Sequence, residues 1–185
     1  INRRKVKSMR ILRENAKIDY NETKRFFENR AIKFSEDNPY SVTMYQDNNK
    51  TLVRNRNEYE LKKLVPLLKL NKDSKVLDVA CGIGRWADAI EMDINVYYGL
   101  DFSKDLIRIA QKRNRKSNFY FYEEAADHVG KFVQEKDIGK FNVILIVGIL
   151  MYLNDEEVNL LLKQIDEICE EHAIICIREP IGMEE

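Results

Sequence analysis

Two aspartates that flank a pair of glycines carry the clearest chemical pattern in this 185-residue sequence. Asp78 lies in an apolar, β-type run, Gly82 and Gly84 follow in a loop of small residues, and Asp101 ends the next apolar run. Consecutive parallel strands bring their carboxyl ends to one edge of a sheet. The pattern therefore predicts two carboxylates and a glycine loop around a nucleotide-like ligand, at the switch point of a doubly wound sheet.

The glycine loop also fits a dinucleotide fingerprint, since a Gly-x-Gly-x-x-Ala pattern begins at Gly82. A dinucleotide would place its pyrophosphate at this loop, where the carboxylate of Asp78 would repel it. S-Adenosyl-L-methionine (SAM) has no phosphate and carries a sulfonium, an ammonium and a ribose diol, groups that suit acids at Asp78 and Asp101. Arg85 fits this interpretation less well, because an arginine here could equally pair with a phosphate.

With its acidic residue, small residue and Gly-x-Gly loop, the chain resembles the class I SAM-dependent methyltransferases of small-molecule type, from about Lys75 to Ile177. The resemblance implies transfer of the SAM methyl group to an oxygen or nitrogen of a small molecule by in-line displacement. It further implies that Asp78 lies near the SAM ammonium, that Asp101 binds the ribose hydroxyls, and that Phe102 lies against the adenine.

The resemblance also implies an acid after the third strand that accepts a hydrogen bond from the adenine amino group. Glu124, with the backbone of Ala125, is the choice for this role, and Glu123 and Asp127 are close alternatives. The Gly-Asp pair that is usual in the family is absent from this position, so the assignment stays open between these residues.

In the N-terminal part, Tyr45 and Arg56 resemble residues that small-molecule methyltransferases place over the cofactor. Arg56 could pair with the SAM carboxylate, although a solvated helix charge explains it equally well. The family places the backbone at Val147 and Gly148 near the SAM amine. The expected cofactor-binding residues are Tyr45, Arg56, Asp78, Ala80, Cys81, Gly82, Gly84, Asp101, Phe102, Ser103, Glu124, Ala125, Val147 and Gly148.

No catalytic residue is assigned from the sequence. His128 is the candidate for a general base toward a substrate hydroxyl or amine, with an ordinary surface histidine as the alternative. Cys81 has no evident base beside it, and its place in the loop favours a small filler. A methyl group on SAM is already activated, so the protein mainly has to align the nucleophile and exclude water.

An alternation of strand and helix patterns predicts an α/β fold, a doubly wound and mainly parallel Rossmann-like sheet with an N-terminal helical cap. Residues 1–57 are expected to form this cap or lid, and residues 58–185 the SAM-binding domain. Helical patterns cover Glu58–Leu68, Arg85–Ile90, Ser103–Arg113 and Asn154–Glu170. The predicted strands are Val76–Val79, Val96–Leu100, Asn118–Tyr122, Phe141–Val147 and Ala173–Ile177.

Five strands are found, whereas a complete class I methyltransferase sheet has seven. The resemblance therefore implies that the final antiparallel pair is missing from the sequence and that the domain is incomplete at its C-terminus. Ala173–Ile177 would then form a bare, apolar edge, through which the chain could pair with another copy.

Composition narrows the function classes further. The net charge is zero, which disfavours nucleic acid as a partner, and no apolar run approaches the roughly 20 residues of a membrane span. The three cysteines lack metal-ligand spacing, so we expect no metal site and free thiols in a reducing cytoplasm. The alternatives to a methyltransferase are a Rossmann-type NAD(P)-dependent oxidoreductase and a non-catalytic SAM-fold partner protein; the identity of the acceptor stays open.

Overall fold

The computed structural model describes residues 17–44 and 49–180, and within them five strands form one parallel sheet. The strands are β1 (Lys75–Val79), β2 (Val96–Asp101), β3 (Phe119–Glu123), β4 (Phe141–Val147) and β5 (Cys169–Arg178), in the order β3-β2-β1-β4-β5. The chain winds outward from β1 to β3 and then crosses to β4, so the switch point lies between β1 and β4. The predicted doubly wound α/β class is confirmed.

Six helices accompany the sheet in the described residues. They are α1 (Tyr20–Ile32), α2 (Lys50–Leu64), α3 (Arg85–Ala89), α4 (Lys104–Arg113), α5 (Val129–Glu135) and α6 (Asp155–Ile168). Because Pro66 cannot continue a regular α-helix, α2 ends at Leu64 and continues as a 3₁₀ turn, Val65–Leu68.

The sheet separates two apolar layers, and alternate residues of β1 supply both. Val76 packs with Tyr97 on one face, whereas Leu77 and Val79 pack with Ile144 on the other. All five of these residues are fully buried. Because side chains alternate along a strand, Asp78 shares the face of Val76 and is carried into the same layer.

Two predicted boundaries were wrong. Helix α2 begins at Lys50, well before the predicted Glu58, and Asn49 caps it by accepting from the Leu52 backbone N–H at 3.1 Å. Its first turns are polar, so the apolar periodicity gave no signal there. Strand β5 begins at Cys169, directly after α6, where the sequence predicted that the helix continues.

Helix α1 is tied to the sheet domain through Asn154. Asn154 is the N-cap residue of α6, but its side chain makes no capping hydrogen bond, because its Oδ1 accepts from the Ile18 backbone N–H at 2.9 Å. The hydroxyl of Tyr20 accepts from the Asn154 backbone N–H at 3.1 Å and from its Nδ2 at 2.8 Å. Phe27 packs inward, whereas Ile32, the last residue of α1, is 80% exposed.

The division into residues 1–57 and 58–185 stays a prediction, and α2 runs continuously across it. Edge pairing through β5 also stays a prediction; Ile175 and Ile177 on this edge strand are 42% and 50% exposed. Among the described residues, no helix is both long and apolar enough to cross a membrane.

Replacing Tyr20 with Phe tests the docking of α1. Loss of the hydroxyl leaves two N–H donors of Asn154 without their acceptor, each worth about 1 kcal/mol. We expect amide hydrogen exchange in α1 to speed up by roughly 5-fold or more, with little change in exchange from the strands. Tyr59→Phe is the matched control, since Tyr59 is 64% exposed. Equal exchange in both variants would contradict the proposed tie.

Candidate functional site

A cavity of about 1010 Å³ lies at the carboxyl ends of the strands and is covered by α1 and α2. Its floor comes from the loop after β1 and from the residues that end or follow the other four strands. Small-molecule sites typically measure roughly 300–1,000 Å³, so the cavity has room for a cofactor and a second molecule.

The loop after β1 is held in a conformation that requires small residues. Ala80, Gly82 and Gly84 have positive φ angles of 61°, 56° and 77°. A Cβ atom at Gly82 would lie 2.6 Å from Cγ2 of Thr43. The glycine at this position therefore allows the segment before α2 to approach the loop closely, as a side chain would not.

Asp101 joins this loop to the end of β2. Its Oδ2 accepts from the Gly82 backbone N–H at 2.9 Å, and its Oδ1 accepts from the Ser103 backbone N–H at 2.9 Å. The residue is only 4% exposed, and burial raises the pKa of its carboxyl to about 6, against the two backbone hydrogen bonds, which lower it. Each oxygen keeps a further lone pair, so the carboxylate can accept from a diol in the cavity.

Asp78 lies below the cavity wall rather than on it. It is 1% exposed, and the hydroxyl of Tyr97 donates to its Oδ2. Burial raises the pKa of Asp78 to about 7; the hydrogen bond from Tyr97 and the charge of Arg85 lower it, and Asp101 raises it. The observed partner of this acid is thus a buried tyrosine, and its expected proximity to a ligand ammonium stays a prediction.

Most of the expected cofactor residues line one cavity. Asp78, Gly84 and Ser103 do not; Gly84 and Ser103 are the N-cap residues of α3 and α4. Tyr45 lies outside the described residues. The expected residues that line the cavity are Arg56, Ala80, Cys81, Gly82, Asp101, Phe102, Glu124, Ala125, Val147 and Gly148, together with the candidate base His128.

The residues after β3 place an acid beside the candidate base. Nδ1 of His128 lies 3.4 Å from Oε1 of Glu124, and the same oxygen accepts from the Ala125 backbone N–H at 3.0 Å. The His128 side chain is 61% exposed. Both alternatives for this histidine, base or surface residue, remain compatible with this position at the cavity rim.

A buried ion network on the opposite wall was not predicted. Arg85 donates from Nη1 to Oε2 of Glu60 at 2.9 Å and to Oδ1 of Asn57 at 3.2 Å. Nε of Arg178 forms an ion pair with Oε1 of Glu60 at 2.8 Å, without hydrogen-bond geometry. The charge of Arg85 is therefore balanced by Glu60 of α2, which removes the argument that this arginine pairs with a phosphate.

Aromatic side chains from α1 cover the cavity on the side of β2 and β4. The ring of Phe27 contacts Phe102 at 5.9 Å and Tyr152 at 5.2 Å between centroids, both edge-on. Tyr152 was missed, because its apolar neighbours are equally typical of a core segment.

Comparison with solved structures shows the same fold in several enzymes. A phosphoethanolamine N-methyltransferase of Haemonchus contortus, solved with phosphoethanolamine and S-adenosylhomocysteine, has a TM-score of 0.63 and 19% identity over 88% of this chain. The chain spans about a third (33%) of that protein. No curated protein sequence matches.

Two bacterial structures are similar at the same level. Magnesium protoporphyrin IX methyltransferase of Synechocystis, with bound SAM, has a TM-score of 0.61 and 17% identity, over 85% of this chain and 75% of its own. The N-methyltransferase NodS of Bradyrhizobium japonicum, with S-adenosylhomocysteine, also has a TM-score of 0.61 and 17% identity, over 84% and 71%.

The family comparison covers the part of the chain that builds the cavity floor. Residues 76–172 match a family of methyltransferase domains, and this range is more than half of the chain. It includes the glycine loop, Asp101 and the residues after β3 and β4. The chain therefore belongs to the methyltransferase-domain family, and its resemblance to class I SAM-dependent methyltransferases is confirmed.

Proposed function

We propose that this chain binds SAM in the described cavity and transfers its methyl group to an oxygen or nitrogen of a small molecule. SAM as the cofactor follows from the family. The observation that carries the placement is Asp101, which faces the cavity while it fixes Gly82 of the glycine loop. A buried carboxylate with lone pairs to spare suits a ribose diol, and the glycine leaves the cradle open.

The expected roles of the other residues complete the proposal. Phe102 lies against the adenine, Glu124 accepts from its amino group, and Arg56 pairs with the SAM carboxylate. All three line the cavity. When bound, the cofactor supplies a methyl group on a positively charged sulfur; the acceptor lone pair forms the new bond as the carbon–sulfur electron pair returns to sulfur.

The protein then has to align the acceptor and keep water out. Phe27 and Tyr152 provide apolar cover for the cavity, and α1, which carries Phe27, is the expected lid. The acceptor's proton leaves to solvent or to His128 at the rim. A cytoplasmic location is part of the proposal and is supported by the free thiols of Cys81, Cys169 and Cys176.

A titration with S-adenosylhomocysteine (SAH) and with NADH tests the ligand class. Asp78 lies near the loop that would receive a pyrophosphate, so we expect SAH to bind and NADH to show no saturable binding. Isothermal calorimetry on the folded protein measures both. Binding of NADH without SAH would favour the oxidoreductase alternative and contradict the proposal.

Replacing Asp101 with Ala removes the expected ribose contact. We expect SAH binding to weaken by about 1.5–3 kcal/mol, which is the range for hydrogen bonds to a charged group. The variant also frees the N–H groups of Gly82 and Ser103, so circular dichroism and thermal unfolding must confirm that it is folded. Asp105→Ala is the matched control, because Asp105 lies in the first turn of α4 and its side chain is 47% exposed. Unchanged affinity in a folded Asp101 variant would remove Asp101 from the site.

Acidification is expected to weaken SAH binding through Asp101. Because burial raises the pKa of its carboxyl to about 6, at pH 5 the group is mostly protonated and affinity should fall by about 10-fold relative to pH 8. A pKa raised on folding means that protonation favours the folded state, so this group does not destabilise the protein as the pH drops from 7 to 5. Calorimetry at both pH values measures the change, which Asp101→Ala should reduce to the part that Asp78, with a pKa raised to about 7, contributes. A flat profile for the unmodified protein would contradict ligation by the ionised form.

A further inference from the structure

We infer that the methyl acceptor carries an anionic group, a carboxylate or a phosphate, which Lys63 and Arg178 bind. This inference rests on the proposed function, because it names the substrate class of the same cavity. Lys63 and Arg178 are called the outer cationic pair below.

The wall formed by α2 and the end of β5 has an excess of positive charge. Three cations of these elements line it, Arg56, Lys63 and Arg178, with Arg85 of α3 beside them, whereas Glu60 is the acid that α2, α3 and β5 contribute to the lining. The chain as a whole has no net charge, so this excess is local. Cations gathered around one cavity wall repel one another unless an anion joins them.

The contacts of each cation show which of them remain available. Arg85 is used by Glu60 and Asn57. Arg178 contacts Glu60 through Nε, and within the part of the chain that the structure describes its Nη groups donate to no protein oxygen. Lys63 lies over the ring of Tyr59 at 4.7 Å and takes part in no salt bridge among the described residues. The outer cationic pair therefore has donors to offer a ligand.

The position of this pair points to the acceptor rather than to the cofactor. Arg178 ends β5, which lies two strands from β1 and its glycine loop, a distance of about 10 Å at the usual strand spacing. The backbone oxygen of Arg178 accepts from the Gly148 N–H at 2.9 Å. Gly148 is the last of the residues after β4 that are expected to bind the cofactor. SAM has a single carboxylate, and Arg56 is assigned to it, which leaves the outer cationic pair for another anion.

Helix α2 brings Lys63 to the same place as Arg178. Glu60 contacts Arg178, and Lys63 lies three residues further along the helix, so the two side chains project from one face. Arg178 is 44% exposed at its side chain, and Lys63 is exposed, so both can reach a ligand that enters from solvent. An arginine fork and a mobile ammonium together suit a carboxylate or phosphate group.

The opposite side of the cavity has the other sign. Glu124, Asp127 and Glu157 line it, on the segment after β3 and on α6, and they outnumber Arg30 of α1, which also lines the cavity. An anionic acceptor would be repelled there and attracted to the outer cationic pair. The cavity thus has a polarity that would orient an acceptor with its anionic end toward α2 and β5.

Calorimetry on the SAH-saturated protein tests this inference with a matched set of aromatic probes: benzoate, phenyl phosphate, benzylamine and benzyl alcohol. We expect both anions to bind without displacing SAH, and the amine and the alcohol to bind at least 10-fold more weakly. The tighter of the two anions identifies the acceptor group as carboxylate or phosphate.

Three variants separate the two sites. Lys63→Gln and Arg178→Gln should each weaken the anionic probes at least 5-fold while the SAH affinity stays within 2-fold; Arg56→Gln should do the reverse. Lys62→Gln is the control, an exposed lysine on α2 that does not line the cavity. If Arg178→Gln proves unstable because Glu60 loses one partner, Lys63→Gln decides alone.

Several outcomes would overturn the inference. They are SAH binding without anion binding, displacement of SAH by the anions, preference for benzylamine, and equal losses in Lys62→Gln and Lys63→Gln. Each leaves the proposed function intact, because SAH still binds or is displaced from its site. A folded protein that binds no SAH at all would instead contradict the proposed function, and the acceptor site with it.

Discussion

The buried carboxylate of Asp101 is the interaction on which the geometry of the site depends. It accepts one backbone N–H from the glycine loop and one from the start of α4, and so fixes the ends of β1 and β2 relative to each other. Removing a carboxylate from water is costly unless it is hydrogen-bonded. The two bonds offset that cost only in part, as the raised pKa shows. A ligand that donates to the remaining lone pairs would complete its solvation, which makes binding and loop order interdependent.

A second buried charge holds the cover of the cavity in place. Glu60 links α2 to Arg85 at the start of α3 and to Arg178 at the end of β5. Its side chain is 10% exposed, so loss of either partner would leave a charge poorly compensated. Helix α2 buries Val53 and Asn57 and packs Leu61 and Leu64, both partly buried, against the core. The ion network therefore adds to an apolar attachment and ties the helix to α3 and β5 in particular.

The sequence was sufficient for features that depend on local periodicity and insufficient for those that depend on distant pairing. The strands and the acid that ends β2 were predicted well, because apolar runs and a glycine loop are local signals. The burial of Asp78 against Tyr97 depends on the packing between β1 and β2, which no single segment encodes. Glu60 and Arg178 are far apart in the chain, and each is an ordinary surface residue type until the fold joins them. Helix α2 was predicted to start too late for a similar reason, since its first turn is held by the Asn49 cap and by the ion pair between Lys50 and Asp37.

The division of charge within the cavity fits the demands of methyl transfer. In-line displacement needs little from an acid or base, so most of the rate must come from alignment of acceptor and cofactor. This alignment is supplied by contacts to the unreactive part of the acceptor. Such contacts raise the rate only if they hold the reacting atom in line with the methyl group. In the proposed function, Arg178 of the outer cationic pair, two strands from the glycine loop, would be far enough away to leave the sulfonium undisturbed and close enough to orient a small molecule. The division of charge also explains why a neutral chain can have a strongly polar site: the charges cancel across the molecule but are separated across the cavity.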